Sequence, residues 1–179
     1  MRNKLKIIGV FLGCLLFRLI PLRAPNVEPI MASVMPAAKK YGAAAGFSFA
    51  FLSMVLYDFI TGHVGSWTWI TAAAYGAVGL AAYFYFKKFK ASAGNFALFA
   101  ALGTIFFDVV TGILPAPLFG QSLAVAAVLQ VPFTALHLAG NIGFALFLSP
   151  VLNKWFVVGE ARAVKSSSLA SSAPGGVIS

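Results

Sequence analysis

Two short stretches carry the same chemically capable residues. Tyr57-Asp-Phe-Ile-Thr-Gly62 returns 50 residues later as Phe107-Asp-Val-Val-Thr-Gly112. Each copy ends an apolar run, so Asp58 and Asp108 fall in the last turn of a helix, and Gly62 and Gly112 suit the left-handed residue that closes it. A carboxylate there faces the negative end of the helix dipole, unfavourable by about 0.3–1 kcal/mol. Burial near apolar surroundings adds several kcal/mol. Compensation comes from backbone N–H groups of the next loop, from Arg18, or from a ligand in an outward-facing pocket. Thr61 and Thr111, three residues on, share the Asp face.

A second set lies further along the chain. Gln130, Thr134, His137 and Asn141 are spaced +4, +3, +4. That spacing puts all four on one helix face over roughly 17 Å. Polar groups facing lipid go unsatisfied, so this face turns into a bundle. Its work is either interhelical hydrogen bonding or contact with a ligand. A third set lies in a stiff loop, where Pro21, Pro25 and Pro29 surround Asn26 and Glu28, with Arg18 just before. Glu28 precedes a helical start, where the dipole favours a carboxylate. It reads as a cap or as a binding group.

None of these sets forms a catalytic signature. The sequence has no phosphate loop, no HExxH, no GxSxG and no convincing Ser/Lys dyad. An enzyme is not expected. The lone Cys14 and two histidines give no disulfide framework and no structural metal site. No cofactor is expected.

The elements that position these residues must be membrane helices. Of 179 residues 60% are apolar and only 9% charged, against about 25% charged in a soluble domain. The net charge of +9 does not make a nucleic-acid binder, because too few polar residues remain to build a basic face. Apolar runs over about 5–22, 41–62, 66–86, 94–115 and 122–148 are each near the roughly 20 residues needed to cross the hydrocarbon. A shorter run, 27–39, contains Pro29 and Pro36. Pro29 suits a first helical turn, whereas Pro36 is expected to kink or end the helix. The whole of 1–156 reads as one all-α transmembrane domain, and Ser-rich 157–179 as a flexible cytoplasmic tail.

Charge sets the orientation. With six crossings and a cytoplasmic amino terminus, Arg2, Lys4, Lys6, Lys39, Lys40, Lys87, Lys88, Lys90, Lys154, Arg162 and Lys165 lie inside, and only Arg18 and Arg23 outside. This 11-to-2 division follows the positive-inside rule. Five spans with an external amino terminus give 10 to 3. The basic start Met1-Arg-Asn-Lys-Leu-Lys6 favours six. Trp67 and Trp69 read as outer interfacial anchors, and Tyr83, Tyr85 and Trp155 as inner ones.

This combination resembles the substrate-binding S components of energy-coupling factor (ECF) transporters. The similarity rests on the length, on Arg18-x₆-Pro25-Asn26-x-Glu28-Pro29, on the Asp-x-x-Thr-Gly ends at 58–62 and 108–112, and on the polar last span with His137 and Asn141. It implies a bacterial plasma-membrane subunit that captures a vitamin-like molecule or metal ion. The ligand would lie in the outer half, near Arg18, Asn26, Glu28, Asp58, Asp108, Gln130, His137 and Asn141. A transmembrane coupling subunit and ATPase subunits would drive release. Small residues on the first span would meet the coupling subunit, which points to Gly9 and Gly13. A competing reading is a scaffold for cell-envelope assembly, which has no need of carboxylates and an Arg around a cavity.

Reporter fusions test the topology. Fusions after residues 40 and 90 and at the carboxyl terminus are expected to read cytoplasmic, and fusions near 64 and 118 external. An external amino-terminal tag contradicts six spans.

Overall fold

The computed structural model describes residues 2–21 and 27–171, and every regular element among them is helical. Six α-helices follow in order: α1 (Arg2–Arg18), α2 (Ile30–Tyr41), α3 (Ala43–Thr61), α4 (Ser66–Lys88), α5 (Ala93–Asp108) and α6 (Leu123–Ser171). A π-helical turn, Val109–Ile113, extends α5, and a 3₁₀ turn, Ala116–Phe119, follows it. Four stretches are long and apolar enough to cross a membrane: Ala43–Thr61, Ser66–Lys88, Ala93–Phe119 and Leu123–Val157.

The six expected spans therefore divide into four long ones and two shorter helices. α1 has 17 residues, about 25 Å at 1.5 Å per residue. α2 has 12, about 18 Å, well short of a hydrocarbon core of about 30 Å. α2 is apolar on all sides, and Ile30 through Ala38 are all buried. Helices of that kind sit in the centre of a bundle. Here α6, α3 and α4 pack around it.

Pro36 was expected to kink or end this helix, yet α2 continues to Tyr41. A proline inside a helix leaves the carbonyl four residues back without its donor. That carbonyl belongs to Ala32, and the Ser149 hydroxyl of α6 donates to it at 2.7 Å. A neighbouring helix thus supplies the missing hydrogen bond. Pro29 stands one position before the first turn, as the residue flanking Ile30.

α2 and α3 are joined by Gly42 alone, with φ at 96°, a conformation that favours glycine. α3 and α4 then make the closest helix contact. A Cβ added at Gly46 or Gly79 would collide with the other's backbone carbonyl, so both glycines serve close approach. α3–α4 and α5–α6 are the two most extensive helix pairings, in agreement with two hairpins that carry the repeated sequence.

The bundle segregates charge by sign. At one end the Lys6 ammonium donates to the Trp155 carbonyl at 2.6 Å, and the rings of Tyr41 and Phe156 meet edge-on. The ends of α2 and α4 bring Lys39, Lys40, Lys87 and Lys88 to this side, and Lys154 of α6 lies next to Trp155 there. The opposite end holds Arg18 with Glu28, Asp58 and Asp108, the three carboxylates whose side chains are described.

Residues 157–171 depart from the expected tail, because α6 continues through them to Ser171. Extending an existing helix carries no nucleation cost, and Ala161, Ala163, Leu169 and Ala170 favour helix. Residues 172–179 lie outside the described residues.

The Ser149–Ala32 bond yields a specific expectation. Ser149→Ala should destabilise the protein by about 1–2 kcal/mol, because a buried carbonyl loses its donor. In a Pro36→Ala background the restored N–H satisfies Ala32, so the same change should cost much less. Thermal unfolding of the four proteins in detergent checks this. Equal costs in both backgrounds would contradict the assignment.

Candidate functional site

The carboxylate end of the bundle is assembled from five helices and one loop. Arg18 closes α1 and points into the bundle. Its Nε lies 3.3 Å from Glu28 Oε2, and its guanidinium carbon stands 4.2 Å from the centre of the Tyr57 ring. Nη1 approaches the Met54 sulfur at 2.9 Å. Arg18 is therefore held by the loop before α2 and by two residues of α3. Glu28 is buried and acts as an ion-pair partner; the start of α2 has no side-chain cap.

The first repeat places Asp58 opposite the start of α4. The Thr68 hydroxyl donates to Asp58 Oδ2 at 2.6 Å and accepts from the Gly65 N–H at 3.1 Å. Gly62 closes α3 in the left-handed conformation, φ 73°, and the His63 N–H returns to the Asp58 carbonyl at 2.9 Å. This matches the expected helix end.

The second repeat places Asp108 against α6. His137 Nδ1 lies 2.8 Å from Asp108 Oδ1, and both side chains are buried. Neither aspartate pairs with Arg18, which Glu28 engages instead. The two copies do share one detail: Thr61 and Thr111 each donate to the carbonyl four residues back, at 2.8 Å. They differ at the glycine. Gly112 lies within the π turn, so the expected left-handed closure does not occur there. A Cβ at Gly112 would run into the Gln130 amide. The Gln130 side-chain end packs onto Gly112, and the helix winds on past it.

These groups surround a cavity of about 160 Å³. Arg18, Glu28, Asp58 and His137 line it, together with Trp67, Thr71, Tyr75, Phe107, Thr111 and Phe133. Of the eight ligand-contacting candidates, four are thus brought together. Asp108 sits behind His137 and fixes its orientation, leaving Nε2 as the nitrogen available to the cavity. Asn141 lies one turn deeper and donates to Thr104 Oγ1 at 2.8 Å. Gln130 contacts Thr134 at 3.4 Å and faces a separate apolar groove between α5 and α6. Within the polar stripe of α6, His137 and Asn141 bond across to α5, Gln130 and Thr134 bond to each other, and of the four only His137 lines the cavity. Asn26 lies outside the described residues.

Tyr75 was missed by sequence reasoning. It is 1% exposed, it lines the cavity, and its buried hydroxyl has no hydrogen-bond partner among the described residues. Its signal was the spacing Thr68, Thr71, Tyr75 on α4, which puts all three on the face that meets Asp58. Trp67, read as an interfacial anchor, also turns a ring to the cavity. Asp108 Oδ2 and Asn141 Oδ1 are likewise buried without partners among the described residues.

Among the described residues no three His, Cys, Asp or Glu side chains converge. The carboxylates act singly or in pairs, an arrangement suited to holding a polar molecule. Comparison of the chain with protein-family models, curated proteins and solved structures gives no match.

The buried Asp108–His137 pair should behave as a unit. His137→Leu leaves a buried carboxylate uncompensated and is expected to cost about 3–5 kcal/mol. Adding Asp108→Leu should recover most of that loss. Thermal unfolding of the single and double variants decides, and strictly additive losses would contradict the pairing.

Proposed function

We propose that this chain is a non-enzymatic, membrane-embedded subunit that captures a small molecule for uptake, as the S component of an ECF transporter does. The supporting observation is the cavity at the carboxylate end. It combines an ion pair, an aspartate and a histidine with the unpartnered buried hydroxyl of Tyr75. Packing alone does not call for such a group; buried polar atoms are normally satisfied.

In this reading α1 and the short central α2, which runs from just after Glu28 at the carboxylate end to Lys39 and Lys40 at the lysine-rich end, make up the first two of six crossings, both termini are cytoplasmic, and the cavity faces outward across a bacterial plasma membrane. The lysine-rich end then lies inside, as the positive-inside rule favours. A transmembrane coupling subunit and ATPase subunits provide the energy.

The coupling subunit docks along α1. Gly9 and Gly13 are exposed, and a Cβ at either meets nothing within 4 Å. Packing within the chain therefore does not require these glycines. Leu5, Ile8, Leu12 and Leu16 share the exposed face. Small residues at such spacing let a second helix approach.

Protein purified in mild detergent and extracted with solvent should release one small molecule in near-stoichiometric amount, and Asp58→Leu should release little. Wild-type protein that yields nothing above the variant would count against capture. Gly9→Leu and Gly13→Leu should leave thermal stability and ligand retention unchanged while abolishing co-purification of a coupling subunit. Lost stability would assign these glycines to internal packing.

A further inference from the structure

We infer that the molecule held in this cavity is a small organic cation, an alkylammonium group set against aromatic faces and the carboxylate of Asp58. The inference rests on the capture reading and names its ligand class.

Two hydroxyls of the polar wall have already spent their donors. The Thr71 hydroxyl donates to the carbonyls of Trp67 and Thr68, each at 3.1 Å, and the Thr111 hydroxyl to that of Phe107 at 2.8 Å. The cation on the wall, Arg18, is engaged by Glu28 and lies over Tyr57. It is therefore poorly placed to receive an anion. Asp58 takes one hydrogen bond from Thr68, and neither ion pair described at this end includes it. At this end Glu28, Asp58 and Asp108 stand against Arg18 and His137, so even with His137 protonated these groups carry an excess of negative charge. A part-buried carboxylate without a cation is costly, and a cationic ligand offsets that cost.

The apolar wall fits the same guest. Trp67, Tyr75, Phe107 and Phe133 all border the cavity. Tyr75 and Phe107 meet edge-on with centroids 5.0 Å apart, and Phe133 meets His137 at 6.1 Å. Aromatic rings bordering an acidic space are the side chains that recognise quaternary and alkylated ammonium groups. The Tyr75 hydroxyl, which has no hydrogen-bond partner among the described residues, adds an oxygen able to accept from a primary or partly alkylated ammonium. A dry cavity of about 150 Å³ holds a molecule the size of benzene, so the roughly 160 Å³ here fits a trimethylammonium-sized head.

Isothermal titration of the purified full-length protein tests the charge directly. The probes are choline and tetramethylammonium, the uncharged choline isostere 3,3-dimethylbutan-1-ol, acetate, and calcium and zinc chlorides. Choline should bind about tenfold or more tighter than its isostere, in line with the strength of a desolvated cation–π contact. Asp58→Asn should erase most of that preference while leaving the isostere's binding nearly unchanged. Trp67→Leu, at a half-exposed position that folding tolerates, should reduce it separately. Equal binding of cation and isostere, or binding of acetate or a metal ion with the ammonium probes excluded, overturns the cation and leaves capture standing. If no probe binds and solvent extraction releases an anionic or neutral molecule, the cation is again overturned. If extraction releases nothing, the capture reading fails and the inference with it.

Discussion

Hydrocarbon offers a buried polar group no partner, so each one must find its partner inside the chain. That constraint organises this bundle. Ser149 of α6 satisfies the Ala32 carbonyl that Pro36 leaves free in α2. Asn141 of α6 reaches Thr104 of α5, and His137 of α6 meets Asp108 of α5. Cys14 of α1 donates to Ser33 of α2 at 3.2 Å. These bonds form a seam from the carboxylate end toward the lysine-rich end, tying α1, α2, α5 and α6 together. Asp108 Oδ2, Asn141 Oδ1 and the Tyr75 hydroxyl remain without partners among the described residues, and Tyr75 is the one of these three residues that lines the cavity.

The repeated sequence shows how one helix end can be put to two uses. Both copies place an aspartate and a back-bonding threonine at the close of a long helix. The first copy ends in a left-handed glycine, so its aspartate stays at the rim of the cavity and takes a hydrogen bond from α4. The second winds on through a π turn. Its aspartate is buried against α6, where it orients a histidine that does face the cavity. The rim carboxylate lines the cavity directly, and the buried one acts through the histidine it holds.

The helical architecture, the separation of lysines from carboxylates and the inward placement of Asp58, Arg18, Glu28 and His137 were legible in the sequence, because membrane burial makes every ionisable residue conspicuous. Other features were not. The continuation of α2 past Pro36 depends on a serine more than a hundred residues away. Gly112 lies within a π turn that the repeated pattern does not reveal. Gln130 and Asn141 share the stripe of His137, yet Gln130 bonds to Thr134 within α6 and Asn141 bonds to Thr104 of α5. Tyr75 and Trp67 looked like ordinary aromatic content until the helices that surround them were in place.

The account stands or falls on what occupies the carboxylate end. The most direct measurement is an experimental density map of the protein purified without added ligand, read in the space between Asp58, Trp67 and Tyr75. The expected result is compact non-protein density within hydrogen-bond distance of the Tyr75 hydroxyl and the Asp58 carboxylate. A closed space with the Tyr75 hydroxyl bonded within the chain, or one filled by a lipid chain that ignores both groups, would contradict it.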